Sequence, residues 1–324
     1  MKAAQHTRYG DEQNLHLVEL PLPKPGPDDV VLQVVATSIN ASDWEFLSGT
    51  PAYSRIMGLT KPRKVVLGSD ISGIVVAVGA NITEFAIGDE VFCDNFEVFG
   101  GFAEMARVPV GKLLRKPATL SHVQASAIPQ SAVIALQALR KYGEVTAGQQ
   151  VLINGGGGGA GSFAIQFAKQ AGAHVTAVDH ANKLAFMSEL GADAVIDYQH
   201  QDVTHGAQRF DKIVDFVGHH SVRDYFRILQ ANGSYVIVGG LLRDILSTLT
   251  LGSLLTWVSG KRMSILAHQQ NATDIMSVVR QVEQGNIRVC VDRTYPLQDI
   301  RSAFQHFREQ KVLGKVVIEI EGKY

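Results

Sequence analysis

The 324-residue sequence has little cysteine, little net charge and no long uninterrupted apolar run, and each scarcity excludes a class of protein. Only two cysteines occur, Cys93 and Cys290, which are too few for a four-thiolate zinc lobe and argue against a disulfide framework. The formal net charge of −1 gives no electrostatic case for binding nucleic acid or an anionic membrane surface. We therefore expect a globular protein of a reducing, cytoplasmic compartment.

Signals that direct a chain into or across a membrane are also weak. The first eleven residues are polar and show no signal peptide. The most apolar segment, residues 241–258, is interrupted by Arg243, Asp244 and Gly252, and charged side chains are expensive in lipid. We expect a buried or subunit-facing helix in this segment rather than a membrane span.

A change in the predicted secondary-structure pattern along the chain predicts two domains. Up to about residue 120, short apolar runs lie close together, at 30–36, 71–78 and 90–92, as in a partly closed β-barrel. From about residue 124, strands and helices alternate, which predicts right-handed βαβ units and a parallel sheet. The tail returns to a pattern that can rejoin the first region. The predicted division is 1–124, 125–268 and 269–324.

The sharpest local motif is a glycine run at 155–159, followed by Ala160 and Gly161. Within it, Gly156, Gly158 and Gly161 have the G-x-G-x-x-G spacing of dinucleotide-binding loops. A predicted strand at 151–154 precedes the run and a helical pattern follows it, so the helix N-terminus would face a pyrophosphate. This context favours a dinucleotide site over a glycine loop without function.

Residues of opposite charge lie where the ribose 2′ position of such a dinucleotide would bind. Asp179 ends the next predicted strand, where a carboxylate about 20 residues after the loop accepts a hydrogen bond from the ribose 2′-hydroxyl and favours NAD. His180 and Lys183 follow at once and are able to neutralise a 2′-phosphate instead. The residues alone leave NADP and NAD open, and Asp179 also fits an ordinary turn carboxylate.

Further motifs run from end to end of the chain. They include Ser38-Ile39-Asn40-Ala41-Ser42-Asp43-Trp44, Leu67-Gly68-Ser69-Asp70, Gly88-Asp89-Glu90-Val91, Leu190-Gly191-Ala192-Asp193 and Gly314-Lys315-Val316-Val317. In this order the chain resembles the medium-chain dehydrogenase/reductase superfamily, in particular its zinc-independent quinone-oxidoreductase branch. The resemblance implies an α/β protein with a GroES-like β-barrel domain, to which the tail returns, and a Rossmann domain with a doubly wound parallel sheet.

The resemblance also shows where metal-dependent relatives hold catalytic zinc. In this chain those positions are Asn40, Ser69-Asp70 and the Gln130-Ser131 region. An amide, a hydroxyl and one carboxylate do not form the nitrogen-and-sulfur shell that zinc prefers. His219, His220 and His268 lack ligand spacing and are expected in loops. We therefore expect no metal.

Without a Lewis acid, hydride transfer suits acceptors that are already activated, such as quinones or α,β-unsaturated carbonyls. Asn40 is the first candidate to face the nicotinamide or a substrate carbonyl, because its NH₂ is able to donate to a developing oxyanion. An Asn that only holds a turn is nearly as well supported. Asp43 would orient its neighbours or serve as a structural carboxylate. Trp44 and Tyr53 would line the pocket, although Trp44 also fits plain core packing, and Tyr53 is the candidate proton donor.

The remaining cofactor contacts are carried over from the resemblance. Lys183 and Tyr198 fall where relatives hold the adenosine 2′-phosphate, so NADP(H) is favoured and NAD(H) stays possible. The other expected contacts are Gly156, Gly158, Gly159, Ala160, Gly161, Asp179, His180, Val217, Gly218, Val238, Gly239, Gly314 and Lys315. Ile134 departs from the family, since many relatives have a threonine there that helps to hold the nicotinamide.

The leading interpretation is an NAD(P)H-dependent reductase of a small quinone or enone. Two alternatives remain: a carbonyl or alcohol dehydrogenase on an unassigned substrate, and a non-catalytic NADPH-binding redox sensor or scaffold, which Ile134 slightly favours. A homodimer is expected through an edge strand near residues 263–267, with the apolar segment 241–258 beside it.

Overall fold

The computed structural model describes residues 1–56 and 58–321, which divide into two compact units. Unit 1 comprises Met1–Gln130, Ile275–Glu283 and Val289–Tyr324, and unit 2 comprises Ser131–Asp274 and Gln284–Arg288. The chain thus passes between units at 130/131, 274/275, 283/284 and 288/289, whereas the predicted division lies at 124/125 and 268/269. Residues 322–324 of the last predicted segment lie outside the described residues.

The strands and helices are bounded as follows. The strands are β1 (Lys2–Gln5), β2 (His16–Glu19), β3 (Asp29–Ile39), β4 (Asp70–Val78), β5 (Glu90–Asp94), β6 (Met105–Pro109), β7 (Leu114–Arg115), β8 (Gln150–Asn154), β9 (His174–Asp179), β10 (Ala194–Asp197), β11 (Phe210–Asp215), β12 (Leu229–Ile237), β13 (Arg262–Ile265), β14 (Val291–Pro296) and β15 (Lys315–Glu319). The α-helices are α1 (Ala41–Ser48), α2 (His122–Ser126), α3 (Pro129–Arg140), α4 (Gly159–Gln170), α5 (Leu184–Glu189), α6 (Val222–Ile228), α7 (Leu242–Ser247), α8 (Ser253–Ser259), α9 (Ala272–Glu283) and α10 (Ile300–Arg308).

Unit 1 is built on a seven-stranded sheet in the order β14-β15-β3-β4-β5-β7, with β6 also paired to β3. The predicted strands at 30–36, 71–78 and 90–92 lie within β3, β4 and β5, so these predictions are confirmed. Strand β3 is long enough to pair with β4, β6 and β15 along its length. Its buried Val30, Leu32 and Val34 enter the unit's core, and each such side chain contributes about 1.5–3 kcal/mol by leaving water.

Helix α1 follows β3 directly and carries several candidate site residues. Its start is fixed by Asp43, whose Oδ2 accepts the Asn40 backbone N–H at 2.8 Å. Its end is fixed by Gly49, which has a left-handed φ of 68° that a glycine adopts without strain. A short 3₁₀ turn, Ala52–Arg55, then carries Tyr53.

Unit 2 contains a parallel six-stranded sheet in the order β10-β9-β8-β11-β12-β13. Counted from β8, this is the strand order 3-2-1-4-5-6 of dinucleotide-binding Rossmann sheets. In a parallel sheet all carboxyl ends meet at one edge, so the turns after β8, β9, β11 and β12 lie along the same edge. The predicted α/β fold, with a parallel sheet in the second region, is confirmed.

The apolar segment 241–258 lies in a helical region, 241–259, that is exposed rather than buried within this chain. It forms α7, a π-helical turn at Thr248–Gly252 and α8, and most of its large apolar side chains are exposed within this chain. Trp257 alone is 83% exposed. The buried alternative of the prediction is therefore wrong within this chain, and the subunit-facing alternative stays a prediction. Among the described residues, no helix has both the length and the apolar character needed to cross a membrane.

Candidate active site

The glycine loop connects β8 to α4 and is shaped by contacts that only glycine permits. A Cβ at Gly161 would lie 2.1 Å from the Gly155 carbonyl oxygen, so the helix packs on the loop at a distance that excludes a side chain. A Cβ at Gly156 would lie 2.8 Å from Met187 Sδ. These two positions therefore have the turn and packing roles that the motif assigns to them.

Gly158 is different, because nothing in unit 2 crowds it. A Cβ there would meet its nearest atom, the Gly155 oxygen, only at 3.5 Å, which is ordinary contact. Gly158, Gly159 and Ala160 are partly exposed at the start of the 12-residue helix α4. An open glycine at a helix N-terminus lets a phosphate approach backbone N–H groups, so the loop fits a dinucleotide.

Asp179 and Lys183 form a mostly buried ion pair beside this loop. Asp179 Oδ1 lies 3.1 Å from Lys183 Nζ, and Asp179 Oδ2 accepts the Gly157 N–H at 2.9 Å. The pair leaves the end of β9 close to electrically neutral, which reduces the repulsion that Asp179 alone would exert on a 2′-phosphate. His180 and Tyr198 lie next to it, with ring centroids 6.1 Å apart, so the structure brings the four predicted 2′-site residues together.

A buried carboxylate, Asp215, organises the turn after β11. Its Oδ1 accepts the N–H groups of Val217 at 3.0 Å and Gly218 at 2.9 Å, as well as Asn154 Nδ2 at 2.8 Å. The Val238 N–H donates to the Asp215 carbonyl oxygen at 2.8 Å, which ties the end of β12 to the same place. Gly239 has a φ of 69° in the turn that follows. The predicted cofactor residues after β11 and β12 therefore lie on one sheet edge.

In unit 1, Asn40 belongs to a buried polar cluster rather than to an open surface. Its Nδ2 donates to Ser69 Oγ at 3.2 Å and to Asp70 Oδ2 at 3.0 Å, and its Oδ1 accepts a hydrogen bond from Lys315 Nζ. Both amide hydrogens thus point at protein oxygens, and a substrate oxygen would have to compete with them. The predicted oxyanion role of Asn40 stays a prediction.

Lys315 is the cation of this cluster, at only 2% exposure. Its Nζ also donates to the Ile39 carbonyl oxygen at 3.2 Å and lies 3.9 Å from Asp70 Oδ2. Burial lowers the pKa of Lys315 and raises the pKa of Asp70, while the charge of each partner opposes both shifts. The neighbouring Gly314 packs so closely that a Cβ would lie 2.5 Å from the Cys290 carbonyl oxygen. Within unit 1, Gly314 and Lys315 thus have structural roles, and their predicted cofactor contact stays a prediction.

The other predicted catalytic residues lie on or next to α1. Asp43 is fully buried, and burial raises its pKa to about 7, although the amides of Asn40 and Gly68 hydrogen-bond to its carboxylate and act in the opposite direction. Trp44 is partly buried and packs against the core of unit 1. Tyr53 donates from Oη to Glu45 Oε1 at 2.9 Å.

Comparison with known proteins places the chain in a family. Residues 26–118 match the family model "Alcohol dehydrogenase GroES-like domain", and residues 190–318 match "Zinc-binding dehydrogenase". The chain is 30% identical to the mitochondrial NAD(P)H oxidoreductase RTN4IP1 of Bos taurus, in a match that covers 91% of this chain and 82% of that protein. It belongs to the medium-chain dehydrogenase/reductase superfamily, in the quinone oxidoreductase-like branch.

Two further relatives extend over nearly the whole chain. The chloroplast envelope quinone oxidoreductase homolog of Arabidopsis thaliana is 28% identical, over 98% of each chain. The solved structure of the quinone oxidoreductase from Coxiella burnetii has a TM-score of 0.88 at 27% identity, and it covers 99% of each chain. The family and the fold expected from the sequence are thereby confirmed.

One matched family name implies zinc, and the polar cluster of this medium-chain dehydrogenase/reductase does not fit that ion. The positions predicted to replace the ligands do come together, since Asn40 contacts Ser69 and Asp70, and the Gln130 N–H donates to both Asp70 oxygens at 3.2 Å. The cluster offers an amide and a hydroxyl, and an ammonium lies against its central carboxylate. Zinc prefers thiolate and imidazole ligands. Among residues 1–56 and 58–321, no group of three His, Cys, Asp or Glu side chains is arranged to hold a metal.

Sequence reasoning missed two residues that matter to the site. Asp215 was not among the predicted site residues, although its position at the end of a buried strand is a signal that it caps the following turn. Glu45 gave no signal, because its partner Tyr53 lies eight residues away across a chain reversal. His219, His220 and His268 lie in irregular segments, as predicted.

Proposed function

We propose that this chain is an NADPH-dependent, zinc-independent reductase of quinones or α,β-unsaturated carbonyls. The observation that carries the proposal is the Lys315 ammonium in the buried cluster of Asn40, Ser69 and Asp70. A second cation would be repelled there, so a metal-bound alkoxide is not supported. Acceptors that are already electron-poor need no Lewis acid, and the chloroplast relative is named for one such acceptor, a quinone.

NADPH would supply the hydride when bound, and the residues of unit 2 fit it. The backbone from Gly156 to Gly161 would hold the pyrophosphate at the start of α4. Lys183 and Tyr198 would hold the 2′-phosphate, since the Asp179–Lys183 pair is close to neutral and His180 stands beside it. The turns at Val217-Gly218 and Val238-Gly239 would support the adenosine and nicotinamide halves of the cofactor.

The testing experiment is the oxidation of NADPH and NADH, followed by absorbance, against a panel of quinones and enones with a chelator present. We expect turnover with NADPH that the chelator leaves unchanged. Loss of activity with chelator, restored by zinc, would contradict the zinc-independent mechanism. NADPH binding without turnover on any acceptor would instead support the sensor or scaffold alternative.

We also propose that the chain forms a homodimer. Strand β13 is the last strand of its sheet, and the exposed apolar face of 241–259 adjoins it along the chain. An unpaired strand edge beside an apolar face suits a second copy of the same surface. The Trp257→Glu variant should sediment as a monomer, whereas Leu22→Glu, at an exposed apolar position of unit 1, should not. A wild-type monomer at micromolar concentration would refute the proposal. The sparse cysteine content supports our further proposal of a cytoplasmic location.

A further inference from the structure

Unit 1 also contains a partly buried acid, Glu45, that lies outside the buried cluster around Asn40. Glu45 lies on α1, and its Oε1 accepts a hydrogen bond from Tyr53 Oη at 2.9 Å. Burial raises the pKa of Glu45 to about 7, and the hydrogen bond from Tyr53 offsets only part of that effect. Near neutral pH this carboxyl group is therefore present in both protonation states.

The charged groups on the neighbouring elements are directed elsewhere. Arg55 donates from Nε to the Gly49 carbonyl oxygen at 2.9 Å, and its guanidinium lies 4.9 Å from the centroid of the Tyr9 ring. Asp43 binds the backbone amides of Asn40 and Gly68. Among the described residues, Glu45 has no cation paired with it, so Tyr53 is its single polar side-chain partner.

The segment that carries Tyr53 is firmly attached to the end of α1. Besides the Arg55 contact with Gly49, Tyr9 Oη donates to the Gly58 carbonyl oxygen at 2.5 Å. A Cβ on Gly49 would lie 2.7 Å from Arg55 Nε and from the Tyr9 ring, so these three groups are closely packed. Tyr53 is thus held in place next to Glu45 by local contacts on both sides of it.

The protonation state of Glu45 decides where the Tyr53 hydroxyl hydrogen points. When Glu45 is ionised, Tyr53 donates its hydrogen to the carboxylate. When Glu45 is protonated, the carboxylic acid is able to donate to Tyr53 Oη, which frees the phenol hydrogen for another acceptor. The same carboxyl group then lies within hydrogen-bond reach to restore a proton that Tyr53 has given away.

We propose that Glu45 supplies the proton that restores Tyr53 after Tyr53, the candidate proton donor, has protonated the reduced acceptor. The inference rests on the proposed reductase function. Bound NADPH, oxidised to NADP⁺, would supply a hydride to the β-carbon of an enone, and the acceptor would then be an enolate that needs one proton to complete the reduction. The enolate carbon takes the proton of Tyr53 Oη, the phenolate takes the proton of Glu45, and the Glu45 carboxylate is protonated by water. Tyr53 is the catalytic residue, and Glu45 is a positioning residue that acts through it.

The first test compares Glu45→Gln, Glu45→Asp and Tyr53→Phe with wild type over a range of pH. Because the acid form of Glu45 is needed, wild-type kcat should be level below pH 7 and fall above it. Glu45→Gln should lose this fall and reduce kcat by roughly 10- to 100-fold, with the KM for NADPH unchanged, since general acids contribute about 10²- to 10⁴-fold. Glu45→Asp retains an acid and should keep the fall. Glu97→Gln, at an exposed acid of the same unit, is the matched control.

The second test needs neither cofactor nor substrate. Burial and the nearby Glu45 raise the pKa of Tyr53, so its phenolate forms late in an ultraviolet titration, assigned by subtracting the Tyr53→Phe spectrum. Glu45→Gln removes the carboxylate charge, and Tyr53 should then ionise at a lower pH. A Glu45→Gln protein that keeps the pH profile of kcat, or in which Tyr53 titrates as in wild type, would overturn the inference. Absence of turnover in wild type would instead count against the proposed function, because the titration still reports on the pair.

Discussion

Replacement of Lys315 by methionine is the most demanding test of the buried polar cluster. The change removes the ammonium but keeps the length of the side chain, and it leaves the fully buried carboxylate of Asp70 without its cation. Removing one partner of a buried ion pair destabilises a protein by about 3–5 kcal/mol. The hydrogen bonds to the Ile39 carbonyl and to Asn40 Oδ1 are lost as well. We expect Lys315→Met to lower the free energy of unfolding by an amount in that range.

The assay is urea unfolding, in which a stability change shifts the midpoint at constant m value. In the double variant Lys315→Met/Asp70→Asn both charges are absent, and the Asn oxygen is still able to accept the Gln130 N–H. We expect it to recover about 1–3 kcal/mol relative to the single variant, which is the coupling of a contacting pair. Lys311→Met, at a lysine that is 63% exposed, should change stability by no more than about 0.5 kcal/mol. A Lys315→Met protein as stable as this control would refute the reasoning.

Three further predictions concern unit 2. Gly161→Ala should destabilise the protein by about 1–3 kcal/mol or more and weaken NADPH binding, because the new Cβ would lie 2.1 Å from the Gly155 oxygen. Gly206→Ala, whose Cβ would meet no atom closer than 3.7 Å, should behave as wild type in the same thermal unfolding and fluorescence titrations. Lys183→Gln should raise the Kd for NADPH about tenfold more than the Kd for NADH, a difference of about 1.4 kcal/mol in binding free energy. The control Lys169→Gln should leave the ratio of the two Kd values unchanged. Equal effects of Lys183→Gln on both cofactors would exclude a contact with the 2′-phosphate. Asp215→Ala removes the acceptor of the Val217 and Gly218 amides and should cost about 1–3 kcal/mol by urea unfolding, whereas an unchanged midpoint would show that the turn does not need the carboxylate.

The sequence allowed the fold to be predicted because its signals are local. The run of glycines between an apolar strand and a helical pattern marks the turn from β8 to α4. The site could be predicted only as a set of residue types. That Asn40, Ser69 and Asp70 meet followed from the resemblance, but that Lys315 arrives among them depends on the pairing of β15 with β3, which no local pattern encodes.

The exposed helices at 241–259 show what amino-acid composition alone does not predict. Their apolar composition correctly indicated that this face needs a partner, but composition does not distinguish a partner within the chain from one outside it. Glu45 illustrates a third case, since an acid on a short helix is ordinarily a solvated side chain. The role proposed for Glu45 depends on the turn at Gly49, after which the chain reverses and Tyr53 reaches Glu45 on α1.

The buried Lys315 and the Glu45–Tyr53 pair bear on one chemical requirement. Hydride addition to an enone leaves negative charge on the acceptor, and a metal ion would hold that charge if one were bound. In this chain the ammonium of Lys315 is engaged by the Ile39 carbonyl, Asn40 and Asp70, so it is not directed at an acceptor. In the proposed mechanism a proton removes this charge, and the Glu45–Tyr53 pair supplies it. A reductase built in this way should depend on pH near 7 and be indifferent to chelators, which is the reverse of the behaviour expected of a zinc dehydrogenase.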